Sequence, residues 1–220
     1  MSHAAADHHH PTLMPDDWPV NEHYGKATLG KLGMWMFLLS DAFSFGGLLL
    51  AYGVLRGGSK VWVQPGEPIL GINFTAGLTF ILICSSVSMV MAYAAVVEKN
   101  RRQAVKWLAL TILGGVLFLC GQMQEYFGIF SALFHNHGLI AEGLKIGHSH
   151  YATTFYVITS FHGMHVFTGV CYLTTMLINT ARGKYDDGNY NHIEICGLFW
   201  HFVDLVWILV FTLVYLIPLQ

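Results

Sequence analysis

Five long apolar stretches run along the chain, separated by short segments rich in glycine, proline or charge. They cover residues 31–55, 69–97, 104–130, 151–179 and 195–217. Each is at least as long as the roughly 20 residues with which a helix, rising about 1.5 Å per residue, crosses a bilayer's hydrocarbon core. Backbone polar groups in hydrocarbon must be paired inside the segment, so such runs are read as helices. The pattern predicts an all-α polytopic membrane protein: a polar tail over 1–30, then one membrane domain over 31–220 holding five transmembrane helices in a bundle. The prolines, at 11, 15, 19, 65, 68 and 218, all lie outside the spans. Unbroken spans weigh against transporters built on discontinuous helices.

Composition agrees with the pattern. The 220 residues are 54% hydrophobic and 11% charged, against about 25% charged in a soluble domain. A formal net charge of -2 gives no sign of a nucleic-acid partner. The first 30 residues lack the apolar core of a cleavable signal peptide, so the first span is expected to direct insertion. That tail carries His3, His8, His9, His10 and His23 and reads as a solvated low-complexity segment. His135, His137, His148 and His150 form two H-x-H pairs between the third and fourth spans, without an acidic or cysteine set beside them, and read as loop histidines. Cys84, Cys120, Cys171 and Cys196 match neither a zinc site nor a disulfide framework and are expected to be small core residues.

With five spans, the tail and the second and fourth loops share one side of the membrane. Eight of the eleven Lys and Arg residues lie there: Lys26, Lys31, Lys99, Arg101, Arg102, Lys106, Arg182 and Lys184. The positive-inside rule then places the N-terminus in the cytoplasm and the C-terminus outside.

The candidate chemistry lies in polar residues that break the apolar runs. Asp41 sits near the middle of the first span, His162 and His165 in the fourth, and His201 and Asp204 in the fifth. Each histidine pair or His–Asp pair is three residues apart, hence on one helix face. An ionisable side chain in mid-bilayer costs about 2.5–3.5 kcal/mol or more, so these faces should look into protein. Glu125 and Glu194 lie nearer the span ends. Gln122, Gln124, Glu125 and Tyr126 cluster in the last third of the third span, either as an interfacial polar end or as a buried group. Asn73, Gln122, Glu194, Trp200 and Trp207 are expected at helix interfaces, as are the small pairs Ser40/Ser44 and Ala42/Gly46. Three roles compete for the buried set: pairing that fixes helix order, proton handling, and metal binding. The spans hold too few histidines for a di-iron histidine box, and no paired axial set for haem is evident. Within the second role, Asp41 is expected to pair with a histidine of the fourth span.

Several motifs resemble subunit III of the haem-copper respiratory oxidases. Trp200-His201-Phe202-Val203-Asp204, with Val206-Trp207 and with Glu194 seven positions before the histidine, is similar to that family's W-H-F-V-D-x-V-W helix. Phe161-His162-Gly163-Met164-His165-Val166 matches its F-H-G-x-H-V stretch, and Gln122-x-x-Glu125-Tyr126 its Q-x-x-E-Y. Ser40-Asp41 stands where the family has serine and glutamate, so the carboxylate is kept but reaches one methylene less far. The resemblance implies a non-redox subunit of a proton-pumping cytochrome c oxidase of aerobic electron transport, in a bacterial inner membrane. It implies that the haems and coppers sit in partner subunits I and II. The subunit itself would pack on subunit I, support proton uptake and complex stability, and hold phospholipid; membership of a respiratory supercomplex stays open. The long family form has two further N-terminal helices flanking a lipid cleft. Only a polar tail stands there in this chain, as in the short five-helix bacterial form, which puts lipid binding in such a cleft in question. Subunit III of a ubiquinol oxidase, a nitric oxide reductase accessory protein and, from another class, a stand-alone proton or ion transporter are the alternatives.

Overall fold

The computed structural model describes residues 28–63, 70–129, 138–185 and 190–217. The histidines of the tail, His135 and His137, and the prolines at 65, 68 and 218 lie outside these residues. Five helices long and apolar enough to cross a membrane follow one another: α1 Leu29–Gly58, α2 Ile72–Val97, α3 Arg101–Phe127, α4 His150–Ala181 and α5 Asn191–Val210. The last helix widens over Phe211–Leu216 into a π-helical turn. Among the described residues there is no strand.

Local chemistry sets the helix ends. The Thr28 side chain caps α1 by accepting the Lys31 amide, and the Ser149 hydroxyl caps α4 by accepting that of Ala152. Asn100 does the same for Gln103, so α3 starts at Arg101 and draws the charged Arg101-Arg102 pair into its first turn, ahead of the apolar run at 104. Its other end falls short of 130, because Gly128 takes a left-handed conformation with φ 64° and stops the helix. α5 starts at Asn191 rather than 195: polar Asn191, His192 and Glu194 extend its first turn beyond the apolar stretch.

The fifth helix is the hub, packing on α1, α2 and α4, while α2 pairs with α3 and α3 with α4. Within its most apolar window 56% of α5 is buried, against 17% for α1. α1 therefore lies at the periphery, laid along α4 and α5 by one stripe of Asp41, Phe45, Leu49 and Tyr52. Its small pairs Ser40/Ser44 and Ala42/Gly46, expected at an interface, face away from the bundle.

In lipid the tails are as apolar as the core, so close packing holds the bundle rather than removal from water. Glycines let the helices close up. A β-carbon at Gly114 would stand 2.6 Å from Ser85 Cβ of α2. Gly115 of α3 and Gly169 of α4 form the two walls of a slot for the indole of Trp200, which would meet β-carbons there at 2.6 and 2.9 Å. Trp200 is 1% exposed. Its ring is rigid, so Gly115→Ala should lower stability by about 1–3 kcal/mol through overpacking. Thermal unfolding in mild detergent checks this, and an unchanged midpoint would mean that α3 can shift away at no cost.

Two further expectations need correction. Cys84, Cys120 and Cys171 are exposed and only Cys196 is buried. A surface that faces lipid accepts small apolar side chains as readily as a core does. Asn73 is exposed in the first turn of α2 rather than at an interface; the buried face of that helix begins at Thr75.

Candidate functional site

Asp41 and His165 meet across α1 and α4: His165 Nε2 lies 3.1 Å from Asp41 Oδ1. The other ring nitrogen, Nδ1, is 2.8 Å from the Phe161 carbonyl one turn back. A carbonyl only accepts, so Nδ1 carries a hydrogen and the tautomer is fixed. Nε2 is then left without a proton in the neutral ring. A hydrogen bond to a carboxylate oxygen requires one proton between them, on the imidazole or on the acid. The pair is thus a net-neutral unit that holds a single proton, the form a low-dielectric interior tolerates best. Phe45 and Phe161 close over it, with ring centroids 5.3 and 4.7 Å from the imidazole. Asp41 is 8% exposed, and its Oδ2 has no partner among the described residues.

One turn along α4, His162 is fully enclosed. Trp207 stacks on it at 4.8 Å and Phe118 meets it edge-on at 5.7 Å. Neither ring nitrogen has a hydrogen-bond partner among the described residues.

The polar face of α5 engages α2 rung by rung. Trp200 Nε1 donates to Ser85 Oγ at 3.2 Å, and Trp207 Nε1 donates to Thr79 Oγ1 at 2.9 Å. His201 Nδ1 lies 2.6 Å from Ser86 Oγ, and the same hydroxyl is within hydrogen-bonding reach of the buried Asp204. Glu194, at the start of α5, pairs with Lys31 of α1 at 2.7 Å.

A second polar group gathers at the opposite ends of the helices. Glu125 lies near the end of α3 yet is buried. Thr75 of α2 donates to its Oε1 at 3.1 Å and Tyr215 of the π-turn donates to Oε2 at 3.0 Å. The amide of Gln122 donates to the Thr159 carbonyl at 2.7 Å and to the Tyr126 hydroxyl at 2.9 Å. Residues 138–144 fold back over this end, with the Leu139 and Ile140 amides on the Glu125 and Tyr126 carbonyls. Glu125 is therefore a buried tie between three helices, not an interfacial end. Removing one donor by Tyr215→Phe should cost about 1–2 kcal/mol, since a buried carboxylate oxygen loses its bond. A detergent melting curve reads this; no change would mean that Thr75 alone satisfies the acid.

Sequence reasoning named the α5 and α4 side of these contacts but not their partners Thr75, Thr79, Ser85, Ser86, Phe45 and Tyr215. A signal for the α2 set existed: Thr75, Thr79 and Ser86 are four and seven apart, a spacing that lines one helix face.

No haem or metal fits the described residues. His165 is committed to Asp41 and Phe161, His201 to Ser86, and His162 is walled by aromatic rings. No three His, Cys, Asp or Glu side chains converge among the described residues. What the arrangement can do is hold and pass protons and fix helix order.

Comparison with known proteins points the same way. The family described as cytochrome c oxidase subunit III matches residues 21–218. A cytochrome c oxidase subunit 3 from Synechocystis sp. is 34% identical over 196 residues, covering 89% of this chain and 78% of that protein. One from Thermostichus vulcanus is 33% identical, covering 84% and 86%. A cytochrome bo(3) ubiquinol oxidase subunit 3 from Pseudomonas putida is 31% identical, again covering 84% and 86%. With a match spanning nearly the whole chain and relatives above 30% identity along most of their own length, this chain belongs to the cytochrome c oxidase subunit III family.

Proposed function

We propose that this chain is the non-redox subunit III of a proton-pumping terminal oxidase, and that its contribution to the complex is proton handling and mechanical support. The observation that carries the reading is the Asp41–His165 pair, a proton-holding unit in mid-membrane at the periphery of the bundle. It lies on α1, the helix least covered by its own chain, where a neighbouring subunit would complete the enclosure. In this reading the haem and copper belong to subunits I and II, and the main contact is with subunit I. The chain sits in a bacterial inner membrane with its N-terminus cytoplasmic, because the ends carrying Lys31, Lys99, Arg101, Arg102, Arg182 and Lys184 then share the cytoplasmic face. Lipid tails would cover the exposed apolar faces, such as Phe80, Leu113 and Phe167.

Mild-detergent extraction, a native gel and mass spectrometry of the band test this. Co-migration with a haem-bearing subunit and a copper-bearing partner is expected. Migration alone and without haem absorbance would replace the subunit reading with that of a stand-alone transporter. Because relatives of comparable similarity include a ubiquinol oxidase subunit, quinol is the second reading for the electron donor. The donor-binding partner in the same band decides between them.

A further inference from the structure

The seam between α2 and α5 carries polar groups that the Asp41–His165 pair does not use. A cavity of about 130 Å³ opens between the two helices, lined by Glu194, Gly197 and His201 of α5 and by Met89, Val90 and Tyr93 of α2. Glu194 lies in the first turn of α5, and His201 stands seven residues further in, roughly 10 Å along the helix. The cavity therefore leads from one end of the bundle towards its middle. Gly197 keeps it open, since a side chain there would run towards Met89. At its inner end His201 hands on to Ser86, 2.6 Å from Nδ1, and Ser86 reaches Asp204. Asp204 is 7% exposed, and its Oδ1 is buried with no partner among the described residues. A carboxyl group in that setting is one oxygen short of a full set of bonds and is suited to taking up a hydrogen.

We propose that this seam is a proton-accepting site separate from Asp41–His165, in which His201 takes protons from the cavity and Ser86 relays them to Asp204. The step balances. A proton binds at His201 Nε2, and the proton on Nδ1 passes to Ser86 Oγ. The Ser86 hydroxyl proton moves to the Asp204 carboxylate. His201 ends neutral with its hydrogen on Nε2, Ser86 is unchanged, and Asp204 becomes the neutral acid. The other titratable groups around the seam are placed at its mouth or turned elsewhere. Glu194 is held by Lys31 of α1, and Tyr93 is the titratable group of α2 at the opening. On α4, His165 is bound to Asp41 of α1 and His162 is stacked on Trp207. The purpose of such a site rests on the reading of this chain as an oxidase subunit that supports proton uptake, but its existence does not.

Infrared spectroscopy on the intact resting complex, taken through a pH titration and after a pH jump, tests the site without turnover. The parent should show a protonated-carboxyl band that shifts in heavy water. Asp204→Asn should remove that band. Ser86→Ala should keep its final amplitude but slow its appearance by about tenfold or more, as expected when a hydrogen-bonded proton carrier is lost. Asp204→Glu, which keeps the acid, should restore a band and guards against loss through misfolding. An unchanged spectrum in Asp204→Asn, or a band that appears as fast in Ser86→Ala as in the parent, would overturn the proposal. Either result leaves the co-migration test of the subunit reading untouched.

Discussion

Trp200→Ala is expected to be the most damaging single substitution for the bundle, lowering stability by about 3–5 kcal/mol, the range for deleting a large buried aromatic side chain. The origin differs from that in a soluble core. Lipid tails are no less apolar than the protein interior, so little is gained by taking the indole out of its surroundings. What is lost is contact. The ring fills the slot between Gly115 and Gly169, and neither glycine can grow to fill the gap. Its Nε1 also leaves Ser85, a hydroxyl otherwise bonded to its own helix. Three helices meet on this side chain, so the effect should appear in the cooperative unfolding of the whole subunit. Denaturation in mixed micelles measures it. A loss no larger than that of an exposed control such as Leu205→Ala would mean that the helices collapse onto the space.

Asp41→Leu comes next, with an expected loss of about 3–5 kcal/mol, because removing one member of a buried pair leaves the other uncompensated. His165 would keep its Phe161 bond but lose its only side-chain partner. Asp41→Asn is the informative comparison. The amide can still donate to Nε2, so assembly should survive, while the shared proton is gone. The oxidase carrying Asp41→Asn should assemble in normal amount but take up protons more slowly at high pH, or lose activity earlier during turnover. Native gels, proton-uptake kinetics and the time course of inactivation check the two halves. If Asp41→Asn matches the parent in both kinetic measurements, the pair is a packing device only.

Much of this was readable from the chain. Asp41 and the fourth-span histidines were legible as a pair because a lone carboxylate in an apolar run demands a partner, and His162 and His165 offered the nearest chemistry. Which of the two it chose was not legible. Both lie on one face, and the choice depends on the roll of α1 against α4, which Phe45 and Phe161 set. The motif around Trp200 marked α5 as central, yet its rungs to Thr79, Ser85 and Ser86 were hidden, since hydroxyls in a helix bond to their own backbone as readily as to a neighbour. Glu125 was ambiguous for a different reason. Its depth is fixed by residues 138–144 folding back over the helix end, a tertiary event that no local pattern announces.

The peripheral placement of α1 has a consequence for biosynthesis. This helix is made first, but the surfaces that receive it, on α4 and α5, are made last. Until the ribosome has delivered them, α1 waits in the bilayer with Asp41 unmatched, a state about 2.5–3.5 kcal/mol uphill for a carboxylate at mid-span. The acid is thereby a marker of incompleteness. A chain halted before His165 keeps a polar group facing lipid or an insertion factor, and only the finished bundle conceals it.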